Sequence, residues 1–187
     1  MNYFKSYSLD NANRQRLKGI EVDIYQPLNY SPVGLINEAK ARIREAKKDG
    51  LPYYAVWAVF DKDGHANVPD AFENARINNP QIYIAFSAIC FEIWVLLHFR
   101  RKKQVFNNSG SLVKYLQKNC NLEYYKGKLK FNDLHHLLAT ALENSEWLHK
   151  QNQHDLDGGL REYELDTFTS VDKLMLALEK INKPGEE

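Results

Sequence analysis

Two aspartates, one residue apart, directly follow a nearly uninterrupted apolar segment in VWAVFDKDGH, residues 56–65. Asp61 and Asp63 can direct their oxygens at one hard cation, and Mg²⁺ is commonly held by one or two protein carboxylates together with substrate phosphates. A metal ion held in this way stabilises the charge that develops during phosphodiester or phosphoryl transfer. The alternative is that the pair only shapes a turn with Gly64 or caps the next helix.

Two other acidic motifs can be compared with this segment. In an EF-hand loop counted from Asp61, the twelfth position would be Phe72, where a glutamate is required, so that motif is excluded. An apolar strand followed by Asp-x-Asp-Gly also resembles haloacid-dehalogenase-like phosphatases. That resemblance implies a nucleophile at Asp61, an acid/base at Asp63 and a phosphate-binding hydroxyl at Ser87, although His65 stands where those enzymes have threonine.

The composition is that of an ordinary globular protein, with 187 residues of which 44% are hydrophobic and 26% charged. The formal net charge is +1, so binding to nucleic acid or anionic lipid must come from local patches. Cys90 and Cys120 form no CxxC pair, which argues against a disulfide framework or a zinc ribbon. Because neither a signal peptide nor an apolar run of about 20 residues is found, we expect a cytoplasmic protein that does not cross a membrane.

Alternating strand and helix patterns predict how the aspartates are positioned. Strands are predicted over residues 20–25, 54–60 and 82–86, and helices over residues 31–50 and 69–77. This order is typical of a right-handed parallel sheet flanked by helices, that is, of an α/β fold. Ligands bind such sheets beyond the carboxyl ends of the strands, where Asp61 and Asp63 follow the central predicted strand.

The remaining elements are predicted to be helical. Amphipathic or apolar patterns predict helices over residues 2–18, 90–99, 109–119, 132–150 and 170–181. We therefore divide the chain into an α/β core, residues 1–100, and a helical C-terminal part, residues 101–187, which belongs to the same domain.

The segment VFDKDGH and the later segment SAICFEIWVLLHF, residues 87–99, together resemble the RloB-like family. The resemblance extends from the start of the chain to its last helix. It implies a Toprim-like domain, akin to the nuclease half of overcoming-lysogenization-defect proteins. It also implies an AAA-type or ABC-type ATPase partner encoded nearby, in a restriction-linked, phage-defence or abortive-infection locus.

Carried onto these residues, the resemblance makes Asp61 and Asp63 ligands of Mg²⁺ or Mn²⁺ and catalytic residues. Glu92 matches a further acidic position of the family, where it would complete the metal shell or orient a water. Capping and salt bridging remain the alternative for Glu92, because the first turn of a helix favours an acid. His65 and His98 match histidines of the family's motifs and are auxiliary candidates, and a hydrogen bond at a helix end is the alternative for His98.

The sequence departs from the family pattern at two places. Ala88 and Ile89 stand where the family has Asn-Pro, in the turn that aims Glu92. The family's first strand, with its Toprim glutamate, is expected before Asn-Tyr-Phe, whereas here Met1 directly precedes these residues. We therefore expect a nuclease that is inactive alone, with a non-catalytic subunit that partners the ATPase as the alternative.

Four consecutive basic residues follow the helix that carries Glu92. Arg100, Arg101, Lys102 and Lys103 are predicted to contact the phosphates of DNA or RNA. The alternative for such a cluster is a solvated charged face. The partners expected from the sequence are thus nucleic acid and an ATPase, and we also consider association between copies of the chain.

Overall fold

The structure is a computed structural model that describes residues 2–10, 13, 22–62 and 64–181. The helices are α1 (Asn2–Leu9), α2 (Pro32–Lys48), α3 (Val68–Arg76), α4 (Glu92–Leu97), α5 (Ser109–Asn119), α6 (Phe131–Leu134), α7 (Leu138–Asp157) and α8 (Val171–Ile181). The strands are β1 (Val56–Asp61), β2 (Ile82–Ala88) and β3 (Phe168–Thr169). Two 3-10 turns, His135–Leu137 and Glu162–Glu164, precede α7 and β3.

A mixed sheet forms the centre of the fold, in the order β1-β2-β3. Strands β1 and β2 are parallel and joined through α3, with Val56 opposite Ile82 and Asp61 opposite Ser87. Strand β3 comes from the C-terminal part and pairs with β2 in the antiparallel direction. The predicted α/β class with flanking helices is confirmed, and the predicted parallel arrangement holds for β1 and β2. The antiparallel strand has two residues, too few to produce a periodic pattern.

The strand predicted over residues 20–25 is not found in its described part, since residues 22–25 belong to no strand. Residues 20 and 21 lie outside the described residues, as do residues 14–18 of the first predicted helix, and α1 ends at Leu9. Residues 22–25 alternate between half-buried and exposed positions. The Arg42 guanidinium lies over the Tyr25 ring, 3.6 Å from its centroid, and the Tyr53 hydroxyl is 3.1 Å from the Tyr25 hydroxyl. Alternation here reflects side-chain packing without strand pairing.

Helix α2 begins where the sequence predicts. The Ser31 hydroxyl accepts a hydrogen bond of 3.1 Å from the backbone N–H of Gly34, and Pro32 occupies the first helical position. After Lys48 the chain turns at Gly50, whose φ of 75° is in the left-handed region that favours glycine. Both ends of this helix thus follow from local residue chemistry.

Helices cover both faces of the sheet. Helices α2 and α3 pack on one face through residues such as Ile36 and Ala71 against Phe86. The opposite face meets α1, α4 and α8 through residues such as Tyr7, Trp94 and Met175, which are almost fully buried. A further cluster joins α4, α5 and α7. Helix α4 is therefore enclosed by the C-terminal helices, and all six of its residues are buried.

The C-terminal helices largely follow the predictions. Helix α5 spans Ser109–Asn119 as predicted, whereas the helix predicted over residues 132–150 is divided into α6, a 3-10 turn and α7 and continues to Asp157. Within the described ranges, none of the helices is both long and apolar enough to cross a membrane.

Candidate functional site

Asp61 is the last residue of β1 and lies at the carboxyl end of the parallel pair. It stands opposite Ser87 of β2, and the next backbone N–H, that of Lys62, donates a 3.0 Å hydrogen bond to the carbonyl of Ser87. The chain then turns, with the N–H of His65 bonded to the carbonyl of Lys62 at 3.0 Å and Gly64 at a φ of 72°. Asp63 lies outside the described residues. The described carboxylate is thus at the predicted edge of the sheet.

Glu92 is the first residue of α4, which follows β2 after a turn that contains a cis peptide bond between Ala88 and Ile89. Its side chain is almost fully enclosed, with 2% relative exposure. Oε1 accepts a 2.5 Å hydrogen bond from the Tyr124 hydroxyl. Oε2 is also buried and has no hydrogen-bond partner among the described residues. A buried carboxylate oxygen without a donor is costly unless a cation or water reaches it.

The charges of Asp61 and Glu92 both raise the pKa values of Cys90 and Tyr124. Burial raises the pKa of the Cys90 thiol, and the nearby charges of Glu92 and Asp61 raise it further. Burial and the hydrogen bond to Glu92 raise the pKa of Tyr124, and the charge of Asp61 adds to the effect. Asp61 and Glu92 therefore act on the same two groups, which places the strand-end acid and the helix-start acid in one region. The thiol and the phenol remain protonated at neutral pH.

The carboxylates of Asp61 and Glu92 are the type of ligand that a hard cation binds. Carboxylate oxygens are the ligands that Mg²⁺ prefers, and it completes its shell with water and substrate oxygens. The described residues contain no group of three or more His, Cys, Asp or Glu side chains arranged to hold a metal, and this set excludes Asp63. Asp61 and Glu92 are the described residues that could contribute to such a site.

The two motif histidines lie in different surroundings. His65 is exposed at the turn after β1. His98 is buried at the end of α4, where its Nδ1 is 2.9 Å from the carbonyl oxygen of Trp94 and its ring packs 4.8 Å from the Trp94 ring. Burial lowers the pKa of His98 to about 4, so the ring is neutral at pH 7. Its Nε2 has no hydrogen-bond partner in the described part of the chain.

The Ser87 hydroxyl is engaged in strand pairing. It is 3.0 Å from the hydroxyl of Thr169 on β3, and Ser87 is 1% exposed. In this arrangement the hydroxyl joins β2 to β3 and is not presented to a ligand.

The four basic residues after α4 point to different elements. Arg100 donates to the carbonyl of Asn119, Arg101 to the Oδ1 of Asn144, and Lys103 to the Oδ2 of Asp155, whereas the Lys102 amine lies 5.0 Å from the centroid of the Tyr115 ring. Arg101 and Lys103 are thus bound to α7, and the charge of Lys103 is neutralised by Asp155. The cluster is contiguous in sequence but does not form one face.

Tyr124 is the residue of this region whose role the sequence did not reveal. It is separated from Glu92 by 32 positions and lies in the irregular segment after α5. Its position is fixed partly by Gln117 of α5, whose side-chain amide donates a 3.0 Å hydrogen bond to the Tyr124 carbonyl. No local pattern signals such a contact, because it depends on how α5 packs against α4.

The fold and this site define the class of protein as an α/β protein with a mixed sheet, in which a strand-end aspartate lies near a buried glutamate at the start of the following helix. The chain belongs to the RloB-like family, since the model of RloB-like proteins matches residues 1–178. This match confirms the resemblance carried by the two motifs. A search of curated proteins and a search of solved structures each returned no significant match.

Proposed function

We propose that this RloB-like protein is a Mg²⁺-dependent or Mn²⁺-dependent nuclease component, of the Toprim kind, in an anti-phage or abortive-infection system. The observation that carries the proposal is that the strand-end Asp61 and the buried Glu92 both lie close enough to Cys90 and Tyr124 to raise the pKa of each. The buried Oε2 of Glu92, which lacks a donor within the described residues, supports a cation at this place. The family membership supports the defence setting, whereas the ATPase partner is what the family resemblance implies.

In this proposal Asp61 and Glu92 hold the metal, together with Asp63, which the family resemblance adds. The bound ion would polarise a phosphodiester and lower the pKa of a bound water. Tyr124 holds Oε1 of Glu92, so the other carboxylate oxygen, Oε2, remains for the cation. Cys90 is not the nucleophile, because burial and neighbouring charge keep its thiol protonated.

A non-catalytic subunit that binds an ATPase is the second candidate function. The observation in its favour is the 2% exposure of Glu92, since a carboxylate enclosed to this degree meets a substrate only if the surrounding segment opens. Both candidates place the chain beside an ATPase, and they differ in whether phosphodiester bonds are broken.

The deciding experiment is a cleavage assay with the full chain, alone and with the ATPase encoded nearby plus ATP. Duplex DNA, single-stranded DNA, RNA and tRNA are incubated with Mg²⁺ or Mn²⁺ and analysed on denaturing gels. We expect cleavage that EDTA abolishes and that Asp61→Asn reduces by at least about 100-fold. Asp70→Asn, at an exposed position of α3, is the control with the same change of side chain and should cleave normally.

Two other outcomes of this assay would each support a different function. If no nucleic acid is cut in any combination, the nuclease proposal fails and the non-catalytic subunit is favoured. If phosphomonoesters are hydrolysed and Asp61→Asn abolishes that activity, the protein is a phosphatase of the haloacid-dehalogenase-like kind.

A further inference from the structure

The sequence between Glu92 and Glu123 contains no acidic residue. This stretch of 30 residues, from 93 to 122, includes six lysines and arginines, although acidic and basic residues are nearly balanced in the whole chain. It comprises most of α4, the following segment and α5. The local excess of positive charge is therefore carried by two neighbouring helices and the chain between them.

A groove of about 400 Å³ lies along α5, between this helix and the segment at residues 104–107. Its polar lining is supplied by Gln104, Asn107, Ser111 and Asn119 together with Lys114 and Lys118, and none of its described lining residues is acidic. A second groove, beside α7, is lined by Arg101 and Lys150 together with Glu143 and Glu146, and Lys150 is paired with Glu146. Of these two grooves, the one along α5 presents basic groups without carboxylates among its described lining residues.

The lysines of this groove are available for a ligand. Lys114 and Lys118 are exposed, lie one helical turn apart on the same face of α5 and make no ion pair within the described ranges. The Lys102 amine approaches the same groove over the Tyr115 ring. Lys103, in contrast, is paired with Asp155. Three amines at one groove, without a neutralising acid, favour an anion with several charges.

The groove is also connected to the candidate site. Gln117 lies between Lys114 and Lys118 on α5, and its amide holds the carbonyl of Tyr124. The Tyr124 hydroxyl in turn holds Glu92. Helix α5 thus joins the basic groove to the buried carboxylate through two hydrogen bonds, and a strand bound along α5 would lie next to the elements that carry Glu92.

We infer that this groove binds a single-stranded nucleic acid, with Lys102, Lys114 and Lys118 contacting its phosphates. Unstacked bases need aromatic or apolar surface and groups that hydrogen-bond their edges. Tyr115 and Val105, which is 62% exposed, provide aromatic and apolar surface, and the Asn107 amide provides groups that can hydrogen-bond a base edge. The inference extends the proposed function, on which the role of the bound strand as substrate rests, whereas binding itself needs no cleavage.

Fluorescence anisotropy with the full chain tests this inference, in EDTA so that binding is separated from metal-dependent chemistry. The probes are a labelled single-stranded DNA, a single-stranded RNA of the same length and the corresponding duplex, with polyglutamate as an unlabelled competitor. The variant is Lys114→Gln with Lys118→Gln. Lys47→Gln with Lys48→Gln, two exposed lysines at the end of α2, is the control with the same loss of charge. Circular dichroism confirms that each variant is folded.

We expect the groove variant to bind a single strand at least tenfold more weakly, while the control binds like the unchanged protein. Each phosphate contact to a single strand contributes about 0.7 to the slope of log K against log salt concentration. The loss of two lysines should therefore reduce the magnitude of this slope by about 1.4 in the groove variant. Equal binding by the groove variant and the control overturns the inference. So do tighter binding of the duplex, displacement by polyglutamate at equal charge, and failure of the unchanged protein to bind any probe. If the unchanged protein binds a single strand through this groove but cleaves no nucleic acid, the nuclease proposal fails and the binding inference stands.

Discussion

The hydroxyl of Tyr124 donates a 2.5 Å hydrogen bond to Oε1 of Glu92, across 32 positions of the chain. Tyr124 is 3% exposed and Glu92 2% exposed, so no solvent replaces this bond if it is lost. The contact ties the segment after α5 to the first turn of α4. It also determines which oxygen of Glu92 remains for another partner.

Removing the Tyr124 hydroxyl should destabilise the protein, because it leaves the buried carboxylate of Glu92 without its donor. For Tyr124→Phe we expect a loss of about 1–3 kcal/mol in the free energy of unfolding, measured by urea denaturation. Tyr125→Phe is the control, since Tyr125 is 64% exposed and should change stability little. Equal stability of the two variants would show that the Tyr124 hydrogen bond contributes nothing.

Divalent metal should stabilise the folded chain through Glu92 if the proposed site is correct. A ligand at 100 times its dissociation constant adds about 2.7 kcal/mol to stability, so saturating Mn²⁺ should raise the melting temperature. We expect Glu92→Gln to abolish this rise, because the amide keeps an acceptor for Tyr124 but lacks the charge that holds the ion. Glu123→Gln, at an exposed position, is the control. A rise of the same size in Glu92→Gln would remove Glu92 from the metal site.

Stability should fall with acidity because of His98. Burial lowers its pKa from 6.5 to about 4 in the folded protein. Below pH 6.5 the unfolded chain therefore binds the proton more readily than the folded chain, and acidification favours unfolding. Between pH 6.5 and 4 we expect His98 to account for a loss of about 3 kcal/mol.

The variant His98→Asn tests this dependence, since its amide does not titrate and can still donate to the carbonyl of Trp94. Urea denaturation between pH 7 and pH 4 should show a smaller decline for this variant than for the unchanged protein. His135→Asn is the control, because His135 also contacts a backbone carbonyl but is exposed. The prediction is wrong if both variants lose stability in parallel with the unchanged protein.

Asn144 connects α7 to the chain that leaves α4. Its side-chain amide donates a 2.7 Å hydrogen bond to the carbonyl of Leu97, and its Oδ1 accepts one of 3.0 Å from Arg101. Because Asn144 is 5% exposed, Asn144→Ala should cost about 1–3 kcal/mol, measured by thermal or urea denaturation. Glu143→Ala, its exposed neighbour on the same helix, should cost much less. Because alanine is the best helix former, neither substitution loses helix propensity, and similar losses for both would mean that the buried contacts of Asn144 contribute no more than an exposed side chain does.

The cap of α2 should contribute a measurable part of the stability. Ser31→Ala removes the acceptor of the Gly34 N–H, and we expect a loss of about 1 kcal/mol. Ser31→Asp keeps a capping oxygen and should restore most of the loss. Failure of the aspartate to restore stability would indicate that the serine acts through packing and not as a cap.

Local features of this fold could be predicted from the sequence because their causes lie within a few residues. Ser31 and Pro32 start α2 through a cap and a fixed φ, and the apolar spacing of residues 109–119 defines α5. The apolar run before Asp61 predicts a buried strand, and the end of that strand sets the position of the acid. The pattern at residues 20–25 was misleading in its described part, since half-burial alone produces alternation without a strand partner.

The sequence by itself therefore determined the family, the α/β class and the strand end at which Asp61 lies. Only the tertiary structure decided that Tyr124 holds Glu92, that Ser87 is paired with Thr169, and that α5 carries a basic groove. Each of these depends on contacts between elements distant in the chain, whose geometry is set by packing of the whole core rather than by local spacing. The four consecutive basic residues Arg100 to Lys103 point in different directions for the same reason. Each side chain contacts a different neighbour in the folded chain.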